Sequence, residues 1–171
     1  EVGAGKGVLT EGLLERGASL VHSLEIDRRL EPFLDEIRTR YSNLRILWGD
    51  ALKGGLPIEL DPPPNKMIAN IPYHITTPLI WKVLELYSPV GLRYMLLMVQ
   101  KEAAEKICAP ARSKDRYPLG VTIHAMGEAR ILRRVPPEVF NPSPEVTSAL
   151  LEITITKVLE LPGDKVWRTL I

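Results

Sequence analysis

Glu1-Val2-Gly3-Ala4-Gly5-Lys6-Gly7 opens the chain. Alternating glycines of this kind form the turn between a buried strand and a helix in doubly wound α/β sheets. They admit positive φ, allow close backbone approach and aim helix N-terminal amides at a ligand. The helix that should follow is legible: Leu9, Leu13 and Leu14 share one face at helical spacing, and Gly17 supplies the stop. The turn is not a phosphate-binding Walker loop, because Lys6 is followed by Gly7 rather than Ser or Thr and no upstream glycine has the required spacing. Such a turn normally follows a strand, so a first strand is expected ahead of Glu1, near the sheet centre, and the sequence reads as part of a longer protein.

Outward from the turn, short apolar runs alternate with helical patterns, the signature of a sheet with crossover helices. Strands are expected at Leu20 to Leu24, ending at Glu25, and at Leu44 to Trp48, stopping at Gly49-Asp50. Two more are expected at Lys66 to Ala69, running into Asn70-Ile71-Pro72-Tyr73, and at Arg93 to Gln100. Helices are expected at about Arg29 to Tyr41, Pro78 to Leu86, Lys101 to Cys108 and Leu119 to Met126. Ala129 to Val135 and Val146 to Thr156, joined by a proline-rich loop, read as a terminal antiparallel pair.

Composition narrows the class. The 171 residues are 45% hydrophobic and 25% charged, which suits a folded domain and excludes disorder. One cysteine, Cys108, cannot form an internal bridge and fits a reducing compartment, so a cytoplasmic location is expected. The apolar runs are far shorter than the roughly 20 residues of a membrane span. With 22 Lys+Arg against 21 Asp+Glu the net charge is +1, so any nucleic-acid contact must come from local basic patches.

By itself Glu25 reads as a solvated strand-end carboxylate. Roughly 20 residues past the glycine turn, however, it stands where an acidic side chain can accept hydrogen bonds from both ribose hydroxyls of a nucleoside cofactor. Dinucleotide enzymes share that pair of features, so a redox reading stays open here. Asn70-Ile71-Pro72-Tyr73 changes the balance. The exocyclic amine of a base is a poor nucleophile, its lone pair delocalised into the ring, and must be oriented by acceptors while the ring is held flat. Asn70 offers a side-chain carbonyl, the Ile71 carbonyl is held extended by Pro72, and Tyr73 offers a stacking face.

These stretches, with Leu24-Glu25-Ile26-Asp27, Gly49-Asp50-Ala51-Leu52, Val99-Gln100-Lys101-Glu102 and Phe140-Asn141-Pro142-Ser143-Pro144-Glu145-Val146-Thr147-Ser148, resemble the rRNA adenine N6,N6-dimethyltransferases, in the family's order from Glu1 to about Ile155. The resemblance implies a Rossmann-like class I S-adenosylmethionine-dependent methyltransferase fold, seven strands in the order 3-2-1-4-5-7-6 with the first truncated. It implies a methyltransferase domain over residues 1–157 and the start of a C-terminal helical domain over 158–171. The cofactor implied is S-adenosylmethionine: Glu1, Gly3, Gly5 and Asn70 near its methionine end, Glu25 at its ribose, Ile26 packed on its adenine, Asp50 and the Ala51 amide reading that adenine's edge. Asn70, Tyr73 and Phe140 would present the substrate adenine, in the small-subunit rRNA of an immature ribosomal particle, to a monomeric enzyme.

The family pattern also carries an N-terminal segment that touches the cofactor, expected ahead of Glu1, and a C-terminal helical domain of which Leu161 to Ile171 would be the start; within the chain Glu145 stands where a lysine is usual and His74 where Asn is frequent. The three histidines, His22, His74 and His124, lie far apart, show no metal-ligand spacing and read as structural. No metal and no membrane are implied. Arg112, Lys114 and Arg116, in a loop, are the candidate phosphate contacts; Arg130, Arg133 and Arg134 form a weaker second cluster. Two rivals stand beside this reading. One is a large-subunit rRNA adenine methyltransferase of the erythromycin-resistance type, from which Thr77-Pro78 diverges. The other is a non-catalytic RNA-binding assembly or transcription factor on the same scaffold.

Overall fold

The computed structural model describes residues 1–57, 60–141 and 143–159. Its elements follow in the order α1 (Val8–Glu15), β1 (Val21–Glu25), α2 (Glu31–Arg40), β2 (Leu44–Trp48), β3 (Lys66–Asn70), α3 (Thr76–Tyr87), β4 (Tyr94–Gln100), α4 (Lys101–Ile107), α5 (Pro118–Met126), β5 (Gly127–Val135) and β6 (Ser148–Ile155). The alternation matches the sequence reading to within a few residues. Helix α3 begins two residues before Pro78; a proline in the first turn is tolerated because its absent N–H would have no helical partner there.

The strands form two hydrogen-bonded sheets among the described residues, β1-β2 and β3-β4-β6-β5. β1 pairs parallel with β2 from Val21 opposite Leu44 to Glu25 opposite Trp48, and β3 pairs parallel with β4. β6 runs antiparallel between β4 and β5, as the terminal pair was expected to do. With β1 taken as the second strand of the expected order, these sheets are its 3-2 and 4-5-7-6 segments. The described strands number six, in two sheets. Between the segments Val2 makes a single parallel bridge to Leu24, while farther along a groove of about 700 Å³ separates β1 from β3. The expected C-terminal helical domain, 158–171, falls outside the described residues beyond residue 159.

The four-stranded sheet carries the main core. In β4, Met95, Leu97 and Val99 are fully buried while their alternate neighbours are half-buried, and β6 repeats the pattern at Ala149, Leu151 and Ile153. Helix α3 adds Leu79, Ile80, Val83 and Leu84 to the same core. A smaller cluster of Leu14, Val21, Leu34, Ile37 and Leu44 fastens α1 and α2 to β1 and β2. Gly7 suits that place because its φ of +85° lies in the left-handed region, and a Cβ there would come within 2.1 Å of Ile37 Cδ1, so the Ile37 side chain would have to move. This packing brings the C-terminal ends of β1, β2 and β3 to one edge of the molecule.

Candidate nucleoside and base site

Glu25 ends β1 and is 6% exposed. Its Oε2 accepts the Gly5 amide at 2.8 Å, and its Oε1 accepts the amides of Ile26 and Asp27 at 2.8 and 2.9 Å. Its main-chain carbonyl accepts the Gly49 amide at 2.9 Å. One residue therefore joins the glycine turn, the end of β1 and the Gly49-Asp50 corner after β2. Three amides occupy three of the roughly four lone-pair positions of a carboxylate, leaving acceptor capacity for an incoming hydroxyl. Beside it Ile26 is 64% exposed, an apolar side chain in water where a flat ring could cover it. Asp27 caps the next short turn, and the hydrogen bond from Arg29 holds its carboxyl at about 2.

Asp50 organises the corner after β2. Its Oδ1 accepts the Leu52 amide at 2.8 Å, and its carbonyl accepts the amides of Lys53 and Gly55 at 3.1 and 2.7 Å. Helix α3 grips the same loop: Lys82 Nζ donates to the carbonyls of Ala51 and Leu52 at 2.7 and 3.2 Å, and Tyr87 Oη donates to the Pro57 carbonyl at 2.7 Å.

Gly3 connects this half to the other. Its φ is +78°, its amide donates to the Leu24 carbonyl at 2.8 Å, and a Cβ there would lie 3.6 Å from the Asn70 carbonyl oxygen. Asn70 ends β3 exposed, whereas Ile71 is 1% exposed and its amide donates to the Met98 carbonyl at 3.3 Å. Apolar Ile71 is thus the anchor that leaves Asn70 and Tyr73 on the rim. Tyr73 opens a short turn into α3, half-buried, with its hydroxyl 2.6 Å from Ser148 Oγ. Phe140 is half-buried, and its amide donates to the Pro137 carbonyl at 3.0 Å, ahead of the loop that leads to Ser148.

Of the residues singled out in the sequence, Gly3, Gly5, Glu25, Ile26, Asp50, Ala51, Asn70 and Tyr73 gather along this edge through the contacts just given. Glu1 lies beneath the turn: its Oε2 accepts the hydroxyls of Thr10 and, at 2.6 Å, Ser23. The other oxygen of that carboxylate, Oε1, is buried without a hydrogen-bond partner. The groove between β1 and β3 is lined by Glu1 and Val2 but by none of Glu25, Asp50 and Asn70.

Arg112 and Lys114 are exposed and Arg116 is half-buried, all in the loop between α4 and α5. Arg112 has φ +68°, a left-handed conformation uncommon for a residue with a Cβ. The loop is joined to the base site: Tyr117 Oη, whose pKa burial pushes up, lies 3.3 Å from Thr77 Oγ1. In the second basic cluster Arg130 is taken up by Glu152 and Arg134 by Glu105. Among the described residues no group of His, Cys, Asp or Glu converges as a metal site, and no helix is long and apolar enough to cross a membrane.

Sequence reasoning passed over Lys82, Ser148 and the Tyr117–Thr77 link. Lys82 carried a signal, a lone cation inside the apolar run Leu79 to Leu84. The other contacts had none, since hydroxyl partners lie 40 and 75 residues apart.

Residues 1–170 match the family model described as ribosomal RNA adenine dimethylase. The ribosomal RNA small subunit methyltransferase A of Shouchella clausii is 38% identical over 160 residues, 91% of this chain and 53% of that protein. Among solved structures, a dimethyladenosine transferase from Plasmodium falciparum superposes with TM-score 0.78 at 30% identity, over 91% of this chain and 54% of that one. The 23S rRNA methyltransferase ErmE superposes with TM-score 0.74 at 30% identity, over 94% and 62%. The chain spans about half the length of the curated relatives it matches.

Proposed function

Since the chain belongs to the ribosomal RNA adenine dimethylase family, with the Rossmann-like class I S-adenosylmethionine-dependent methyltransferase fold, we propose that this protein methylates N6 of adenosine in small-subunit rRNA. The reaction is placed on two adjacent adenosines near the 3′ end, each modified twice, in an immature small ribosomal subunit in the cytoplasm, by a monomer. One observation carries the reading. Glu25 is bonded at once to the glycine turn and to the Gly49-Asp50 corner, and Gly3 of that turn lies against the Asn70 carbonyl, so a nucleoside subsite adjoins a base-orienting turn.

The residues suit the cofactor. A Cβ on Gly5, at φ +60°, would meet nothing within 4 Å, so the turn has open space beside it, bounded by a buried acceptor at Glu25 and an exposed apolar face at Ile26. Glu1, Gly3, Gly5 and Asn70 would hold the methionine part, Glu25 the ribose, and Ile26, Asp50 and Ala51 the adenine. When bound, S-adenosylmethionine supplies an electrophilic sulfonium methyl. Asn70 and the Ile71 carbonyl accept the hydrogens of the target N6 amine and turn its lone pair out of conjugation. Tyr73 stacks on one face of the base and Phe140 covers the other. No strong base would be needed: the neutral amine would take the methyl as its bond to the sulfonium sulfur breaks, the thioether S-adenosylhomocysteine would leave, and the cationic nitrogen would then release its proton to water; positioning would supply most of the catalysis. Arg112, Lys114 and Arg116 hold phosphates.

The large-subunit reading has its own support in the ErmE likeness, against which stand the relatives named for the small subunit and Thr77-Pro78. The test uses the full-length protein with isotopically labelled S-adenosylmethionine on immature small subunits and on large-subunit precursors. Label is expected in small-subunit rRNA as N6,N6-dimethyladenosine, and Asn70→Ala should reduce it about 100-fold or more, the equivalent of roughly 3 kcal/mol of transition-state stabilisation. Label confined to large-subunit rRNA would establish the rival, and no transfer to either would leave the non-catalytic factor.

A further inference from the structure

Ser148 is fully buried at the start of β6, paired with Gln100 of β4 on one side and Val135 of β5 on the other. The preceding residue is fixed too, its carbonyl accepting the Lys101 amide at 3.0 Å. From this rigid place Ser148 Oγ lies 2.6 Å from the hydroxyl of Tyr73, a half-buried residue on the turn between β3 and α3. We infer that Ser148 is a positioning residue for Tyr73, setting the plane of the ring on which the target base stacks and joining that turn to the loop that carries Phe140.

The physical reason lies in what fixes a rim aromatic. A tyrosine has two soft side-chain torsions, and a half-buried ring packed on one side retains alternative rotamers. Pinning the phenol oxygen to a sheet residue with no freedom of its own selects one of them. The ring plane is then set by the same strand register that places the Phe140 loop, so the two walls offered to the base move together. A base presented by stacking is sensitive to that plane, since the attacking amine must also meet Asn70.

The inference rests on the adenine-methylating reading, and the experiment separates the two. In the full-length protein, Ser148→Ala, Tyr73→Phe and the double variant are compared by single-turnover methylation, calorimetric affinity for S-adenosylhomocysteine and thermal melting. A fourth measurement is the fluorescence of a small-subunit rRNA 3′ hairpin carrying 2-aminopurine in place of the first target adenosine. Each single variant should slow methylation about 3- to 10-fold, the factor one ordinary hydrogen bond is worth. The double variant should be no slower than either single one. Cofactor affinity should stay within about twofold, and stacking-induced quenching of the 2-aminopurine should weaken equally in both single variants. Multiplying rate losses, an unaffected Ser148→Ala enzyme, or a loss of cofactor affinity and melting temperature in step with rate would overturn the assignment. Were the wild type to transfer no methyl group, the functional reading would fall, while the fluorescence cycle would still decide for or against the coupling.

Discussion

Lys82 Nζ, on the helix that leads away from the Asn70 turn, lies 2.7 Å from the carbonyl oxygen of Ala51 in the loop after β2. With its second bond, to Leu52 at 3.2 Å, this ammonium ties the helix after the Asn70 turn, proposed to orient the target base, to the loop that would read the cofactor adenine. Hydrogen bonds to a charged group are worth about 1.5–3 kcal/mol. Lys82→Met should therefore weaken S-adenosylhomocysteine binding about 10-fold by calorimetry. Tyr87→Phe, which frees the same loop only at Pro57, should lower the melting temperature and leave that affinity in place. Equal affinities for wild type and Lys82→Met would show that the loop keeps its shape without the tether.

Glu25 is expected to affect binding and stability together. Glu25→Gln replaces one acceptor oxygen with an NH₂ group facing backbone amides that now have a carboxylate partner. An orphaned buried donor costs about 1–3 kcal/mol. Urea unfolding should shift by that amount, and S-adenosylhomocysteine affinity should fall about 100-fold, which is roughly 2.7 kcal/mol. An affinity unchanged by the substitution would remove Glu25 from the ribose site.

Arg112, Lys114 and Arg116 share a loop tied to the base site through Tyr117 and Thr77. Each phosphate contact releases condensed counterion, so neutralising all three should weaken rRNA binding and flatten the dependence of log affinity on log salt. The change in slope should be up to about 0.9 per lost contact on duplex RNA if its counterion release resembles that of B-DNA. Filter binding at several salt concentrations measures it. A parallel line would make these residues a solvated loop.

His22 sets the sign of one pH effect. Both ring nitrogens are buried without hydrogen-bond partners, and desolvation, followed by the charge of Arg45, lowers its pKa below the ordinary 6.5. The unfolded chain therefore takes up a proton near its ordinary pKa while the folded chain does not. Stability should be highest above that pH and decline as pH falls through it, levelling off only below the folded-state value. Urea midpoints between pH 8 and pH 5 should show the decline, and His22→Gln should flatten it.

Much of the site was legible because its chemistry is local. Gly3 and Gly5 announce a turn by their φ requirement, Glu25 announces itself by ending an apolar run, and Pro72 holds Ile71 extended. What escaped were partners. The ring of Tyr73 could be read as a stacking face, but nothing in a tetrapeptide shows that its hydroxyl reaches a serine 75 residues away. Nor does the sequence show that Glu1 Oε2 is met by Thr10 and Ser23, a contact that exists only after α1 has folded back over β1.

The sequence by itself determined the alternation of strands and helices and the residue types at the strand ends, since periods of 2.0 and 3.6 and the preferences of Gly and Pro act within a few residues. The tertiary structure alone decided that Glu25 would bond both the Gly5 turn and the Gly49 corner, that Lys82 would hold Ala51, and that Tyr73 would find Ser148. A hydrogen bond requires heavy atoms within about 3 Å and well aligned. Between residues 20 to 75 positions apart, that precision comes only from strand register and the packing of Leu97, Leu151 and Leu79 in a shared core.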